Sequence, residues 1–201
     1  SVLIDDVSLT PDGTKIPLES GYGLLKVLIE NAQGDRVLGG RVTITTESGN
    51  TYSPIDSCPF QDGSFHVEGR VFEVSIPAGT VQLEVARGFE YDVWSEDVDI
   101  LPGGVTNVNP RLIHRYPMQA DGWYGGDSHV HLFFHRSSRH PQMMPGTVME
   151  IGRAEGLSYL SFKAEAIEFK ECTAPNSAWN YPSFIGEVGV ESVSDFHGHV
   201  Y

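Results

Sequence analysis

Cysteine is nearly absent: two residues, Cys58 and Cys172, in a chain of 201. So sparse a count excludes a disulfide-stapled miniature fold, and spacing alone does not fix whether the two pair. We read them as two buried thiols in different structural units. No apolar run approaches the ~20 residues that a membrane-spanning helix needs. No N-x-[ST] acceptor for N-glycosylation occurs anywhere in the sequence. Basic residues are also few, 13 Lys and Arg against 27 Asp and Glu, for a formal net charge of −14. That balance argues against nucleic acid or an anionic membrane as a partner, and favours cations, bound metal included. Long breaker-poor segments are missing as well, because 22 Gly and 12 Pro are scattered through the chain. Short strands joined by turns are thereby favoured.

What is present confirms the β bias. Val42 and Ile44 alternate with Thr43 and Thr45, and Val81, Leu83 and Val85 alternate with Gln82 and Glu84. Strict alternation marks half-buried strands. Turn signals recur at Asn31-Ala32-Gln33-Gly34, Gln61-Asp62-Gly63, Pro77-Ala78-Gly79 and Pro102-Gly103-Gly104, the spacing of a β-sandwich. The chain therefore divides into residues 1–20, a strand-like extension; 21–115, an all-β sandwich; and 116–201, a region of different character. The extension, with apolar Val2, Ile4, Val7 and Leu9, reads either as an edge strand of its own sandwich or as a strand added to a neighbouring copy. Tyr91 and Trp94 read as sandwich core, with an interface role as the alternative.

The third region is organised around residues 122–135, GWYGGDSHVHLFFH, which hold His129, His131 and His135. On a strand, side chains at i and i+2 share a face. His129 and His131 can thus aim two imidazoles at one point, a plausible half of a transition-metal site. Two histidines on a wet strand by chance is the bland alternative, since a site needs further ligands.

The sandwich region resembles the carboxypeptidase-regulatory-like (transthyretin-like) module. The resemblance rests on residues 30–42 (ENAQGDRVLGGRV), Gly63-Ser64-Phe65, Ile76-Pro77-Ala78-Gly79 and Val81-Gln82-Leu83-Glu84-Val85. Such modules occur in many extracellular proteins, so the resemblance implies an extracellular or cell-surface location and brings no chemistry by itself. GWYGGDSHVH, followed by Ala154-Glu155-Gly156-Leu157 and Gly198-His199-Val200, resembles the first metal motifs of the PHP (polymerase and histidinol phosphatase) superfamily, nearest its CehA/McbA branch. That resemblance implies a partial α/β barrel with a helix near 147–153 and a second strand near 158–162. It implies divalent metal (Zn, Mn or Fe), with His129 and His131 on one ion, His199 on a second and Glu191 bridging the two. Asp127 would orient a ligating imidazole. His135, His140 and His197 match no motif position and read as surface residues.

Only about 80 residues follow Gly122, whereas a whole α/β barrel runs to ~250. Val130, Leu132, Phe133, Phe134, Leu157, Leu160 and Phe162 would then lie bare, an apolar patch that something must cover. Two readings follow. One is an extracellular, self-assembling structural protein, fibre-forming through strand addition between copies and keeping a metal-binding remnant. The other is the N-terminal portion of a metal-dependent ester or phosphoester hydrolase. The fold class expected under both is mainly β with a C-terminal α/β part.

Overall fold

The alternating segments assemble as two sheets over one shared core. The computed structural model describes residues 21–131 apart from 56 and 58, then 145–164, 185–190, 192–194 and 198–200. Residues 1–20, Cys58, Cys172, His135, His140, Glu191 and His197 lie outside the described residues. So do the side chains of His131 and His199. The chain forms two compact units, Ser1–Pro117 and Met118–Tyr201. It is mainly β, with one α-helix among the described residues.

In the first unit, one sheet contains β1 (Tyr22–Val27), β5 (Phe72–Pro77) and β8 (Val105–Val108), in the order β5-β1-β8. The second contains β3 (Gly40–Thr46), β4 (Phe65–Val67), β6 (Gly79–Ala86) and β7 (Trp94–Ile100), in the order β4-β3-β6-β7. A short parallel pair, β2 (Glu30–Asn31) with β9 (Arg111–Leu112), completes the unit. The pairing β1–β5 is antiparallel and β1–β8 parallel; every pair in the second sheet is antiparallel.

The two-residue period decides which side chains go inside. Leu25 and Val27 of the first sheet join Val42, Ile44, Leu83, Val85, Val98 and Ile100 of the second in one buried cluster. Tyr91 and Trp94 pack against that cluster as partly buried rings. β1 also approaches the β7–β8 turn closely enough to require a glycine. A Cβ on Gly23 would lie 2.3 Å from the Leu101 carbonyl oxygen, so a side chain there forces backbone to move.

The second unit begins with a 3-10 turn at Met118–Asp121, then β10 (Gly126–His131), α1 (Pro145–Ala154), β11 (Tyr159–Ala164) and β12 (Ile185–Val190). β10, β11 and β12 run parallel in that order. Parallel neighbours need a crossover connection, and a helix is the usual one. α1 packs against β11, and its Val148, Met149 and Ala154 are buried. Leu160 is therefore 2% exposed instead of bare, because a helix of the same unit packs on its strand. β13 (Ser192–Ser194) and β14 (Gly198–Val200) pair as a separate antiparallel hairpin.

Candidate metal centre at the end of a parallel strand

The motif residues before the histidines fasten the start of β10 to its neighbour. Ser158 donates its backbone N–H to the Gly125 carbonyl at 2.8 Å, and Ile185 donates to the Ser158 carbonyl at 2.9 Å. Gln119 Nε2 donates to Ser158 Oγ at 3.1 Å. Gly126 pairs with Tyr159 in register, and a Cβ there would sit 3.1 Å from Tyr159 Cβ. The second glycine of the GG pair thus sits where an added methyl would make a tight contact with β11, admitted only if Tyr159 gives by a few tenths of an ångström. Trp123 and Tyr124 are 67% and 68% exposed.

Both histidines stand in the C-terminal half of β10. Ligand sites of open parallel α/β sheets form at the carboxyl ends of the strands, where loops diverge and leave a crevice. The register adds a feature that the two-residue period does not contain. Asp127 pairs with Leu160 and Val130 with Phe162, so β10 carries one residue more than β11 between those pairs. This is a bulge at Ser128–His129, and bulges re-aim a side chain and interrupt the ladder. The amide freed by it is satisfied locally: His129 donates its backbone N–H to Asp127 Oδ1 at 2.9 Å. Asp127 therefore acts on the backbone that carries His129. His129 is half-buried.

The remaining expected ligands are placed only by backbone or not at all. His131 is the last residue of β10 and pairs with Lys163 of β11. His199 lies on β14, opposite Val193. Glu191 falls outside the described residues. Among the described residues no group of three His, Cys, Asp or Glu is arranged to hold a metal. The donor set that the sequence offers, imidazoles at a strand's carboxyl end, suits Zn, Mn or Fe by its chemistry. Lys163 is the single cation inside the otherwise uncharged YLSFKA strand. It shares its register position with His131 on one side and Gly189 on the other.

A second polar cluster lies at the end of the first unit. The Tyr91 and His114 rings stack with centroids 4.2 Å apart, and His114 Nε2 lies 2.7 Å from Glu90 Oε2. Arg115 forms a two-bond ion pair with Asp92. The Arg115 guanidinium holds the Asp92 carboxyl below the usual carboxylate range. Elsewhere, the Ser64 hydroxyl and amide both donate to Asp62 Oδ1, at 2.7 and 2.9 Å, and hold that carboxyl down as well.

No family model and no curated protein matches the sequence. Among solved structures, the chain is similar to GBS52, the minor pilin of the Gram-positive pathogen Streptococcus agalactiae. Identity is 18% and the TM-score 0.37, over 50% of this chain and 47% of that one. It is also similar to the Bacillus anthracis TIE protein, at 11% identity and TM-score 0.31, over 47% of this chain and 17% of that one. The alignments thus span less than half of the pilin and about a sixth of the TIE protein. Likenesses of this degree carry no argument about function; the β-sandwich stands on its own strand ladders.

Proposed function

We propose that this chain joins an extracellular, non-catalytic β-sandwich to the opening β-α-β segment of a PHP-type, divalent-metal-dependent hydrolase of esters or phosphoesters. The observation that carries this reading is the position of the His129-Val130-His131 motif. It ends a strand that pairs parallel with β11 and is bulged beside His129. His129 and His131 would hold one ion, with Glu191 and His199 as the further ligands that the motif resemblance supplies. When bound, the metal would supply a water acidified toward neutral pH. The chain's own contribution is to present the imidazoles and to fix the backbone at His129 through Asp127.

The test is metal content and turnover. The protein is loaded with Mn or Zn, dialysed and measured by elemental analysis, then assayed on aryl esters and aryl phosphoesters. Stoichiometric metal that falls in His129→Ala and His131→Ala, with metal-dependent turnover lost in both, is the expected result. No retained metal, or turnover indifferent to both substitutions, overturns the reading.

A second reading, self-assembly through strand addition, is favoured by two terminal strands of the sandwich, β5 in one sheet and β4 in the other, each with one neighbour among the described strands. Unpaired edges template association. Light scattering on the chain with and without residues 1–20 tests it. A monomer at micromolar concentration in both cases removes it.

A further inference from the structure

β7 and β8 follow one another in the chain but belong to different sheets, and each is the last strand of its own. They diverge from the turn at Pro102, and between them lies a groove of about 520 Å³. Trp94, Val98 and Val108 form its apolar floor, and Glu96, Asp97 and Asn107 line its walls. Glu96, Asp97 and Asn107 are exposed, whereas Val98 is 6% exposed.

The backbone along both walls faces the groove. In a ladder, each residue turns its N–H and C=O to one side and the next residue turns them to the other. On β8, Leu24 and Leu28 donate to the carbonyls of Gly104 and Val108, so the even positions serve β1 and the odd ones, Val105 and Asn107, face away. On β7, the Asp99 carbonyl accepts from Thr106 Oγ1 of β8 at 3.2 Å. Asp99 thus turns away from β6, and by the same alternation Ser95 and Asp97 do too. Nearer the turn, that hydroxyl bridges the strands; farther out, nothing described spans them. An extended segment entering there can pair with β7 at Ser95 and Asp97 and cover Val98 and Val108 with alternate side chains.

Charge selects the occupant. Asp97 and Asp99 put two carboxylates on the outward face of this seven-residue edge strand, while Glu96 shares the face of Val98. Thr80 Oγ1 donates to Asp99 Oδ1 at 2.8 Å, while Arg111, the groove's one cation, pairs with Glu30 at 3.8 Å. A second copy would bring an equally acidic edge, and like charges facing across strands are destabilising. Residues 1–20 hold four carboxylates against one lysine and fit no better. We infer that the groove between β7 and β8 is a strand-docking site for an extended segment of another protein whose outward side chains are basic and whose inward ones are apolar. This is β-strand addition with an electrostatic filter.

The probe is a labelled eight-residue peptide of alternating lysine and valine, followed by fluorescence anisotropy at about 0.15 M salt, where distant charges are screened. Saturable one-to-one binding is expected. It weakens at least tenfold when alternate peptide nitrogens are methylated, which removes the pairing N–H groups and leaves the charge. It weakens comparably in an Asp97→Asn/Asp99→Asn double variant whose melting temperature is unchanged. The same peptide with glutamate for lysine does not bind. Absence of saturable binding overturns the inference. Equal binding of the methylated peptide overturns it too, by reducing the effect to charge alone. Equal binding of the glutamate peptide overturns the basic partner in favour of an acidic strand such as a second copy's.

Discussion

Replacing Gly126 by alanine tests whether close approach of β10 and β11 is what positions the histidines. The added methyl would lie 3.1 Å from Tyr159 Cβ, and 3.2 Å from both Tyr159 Cδ1 and the Tyr159 carbonyl oxygen. The ring atom can rotate aside; the Cβ and the carbonyl are tied to backbone, so relief there needs the strand itself to shift by a few tenths of an ångström. Overpacking of this kind costs about 1–3 kcal/mol. Alanine also gains roughly 0.5–1 kcal/mol over glycine within a strand, leaving a net loss of up to about 2.5 kcal/mol. For a domain near this size each kcal/mol moves the melting temperature by roughly 4–8 °C. Gly125→Ala is the matched control, since its Cβ would meet only Leu157 Cδ2 at 3.8 Å, an ordinary contact. It is expected to change stability by less than about 1 kcal/mol.

The assay is thermal unfolding of both variants, with hydrogen exchange at the Leu160 amide to localise the effect to this sheet. Metal titration reports the consequence three residues downstream, at His129. Gly126→Ala is expected to lower protection and weaken metal binding; Gly125→Ala is expected to do neither. Equal stability of the two variants would refute the claim that spacing explains the glycine.

Three further outcomes follow from the sandwich. Leu83 is fully buried, and Leu83→Ala is expected to cost about 3–4 kcal/mol, transfer plus cavity, read as a lower urea midpoint at unchanged slope. Gly23→Ala forces a Cβ to within 2.3 Å of a backbone oxygen and is expected to lower the melting temperature by more than Gly126→Ala does, with the loss again read by thermal unfolding. Arg115 depresses the Asp92 carboxyl, so the pair's contribution is present above the unfolded carboxylate value of about 3.9 and is lost as pH falls through the folded value. In Arg115→Gln, carboxyl NMR is expected to show Asp92 titrating back in the ordinary range; an unmoved titration would remove guanidinium pairing as the cause.

The parts of this molecule that sequence announces are those governed by local periodicity. Val81, Leu83 and Val85 alternate, and all three are inside. Pro102-Gly103-Gly104 marks a turn, and β7 ends just before it. What periodicity cannot announce is a relation between distant segments. The bulge beside His129 exists only because β11 offers one residue fewer over the same span, a count that no reading of residues 126–131 contains. The groove behaves likewise. WSEDVDI shows a wet acidic strand on inspection, but its value as a wall depends on β8 leaving for the other sheet. Leu160 was expected bare for a related reason: the motif resemblance implies a helix over 147–153, yet only the fold sets it on that strand.

That dependence on register gives Asp127 a role separable from the one its motif suggests. If its carboxylate orients a ligating imidazole, the negative charge matters, because it raises the basicity of the ring it contacts. If it serves by accepting the His129 N–H at 2.9 Å, only an acceptor oxygen is needed, and an amide carbonyl provides one. Asp127→Asn and Asp127→Ala therefore part company. Under backbone anchoring, asparagine retains metal affinity within about twofold, while alanine leaves the bulge amide without its partner and loses roughly tenfold, the lower end of what outer partners of metal ligands contribute. Under imidazole orientation, asparagine fails nearly as badly as alanine. Calorimetric titration of Zn into both variants separates the two, and the His129 amide shift in NMR reports the hydrogen bond without reference to metal. Equal loss in the two variants, with the His129 amide unmoved in asparagine, would transfer the role from the backbone to the ring.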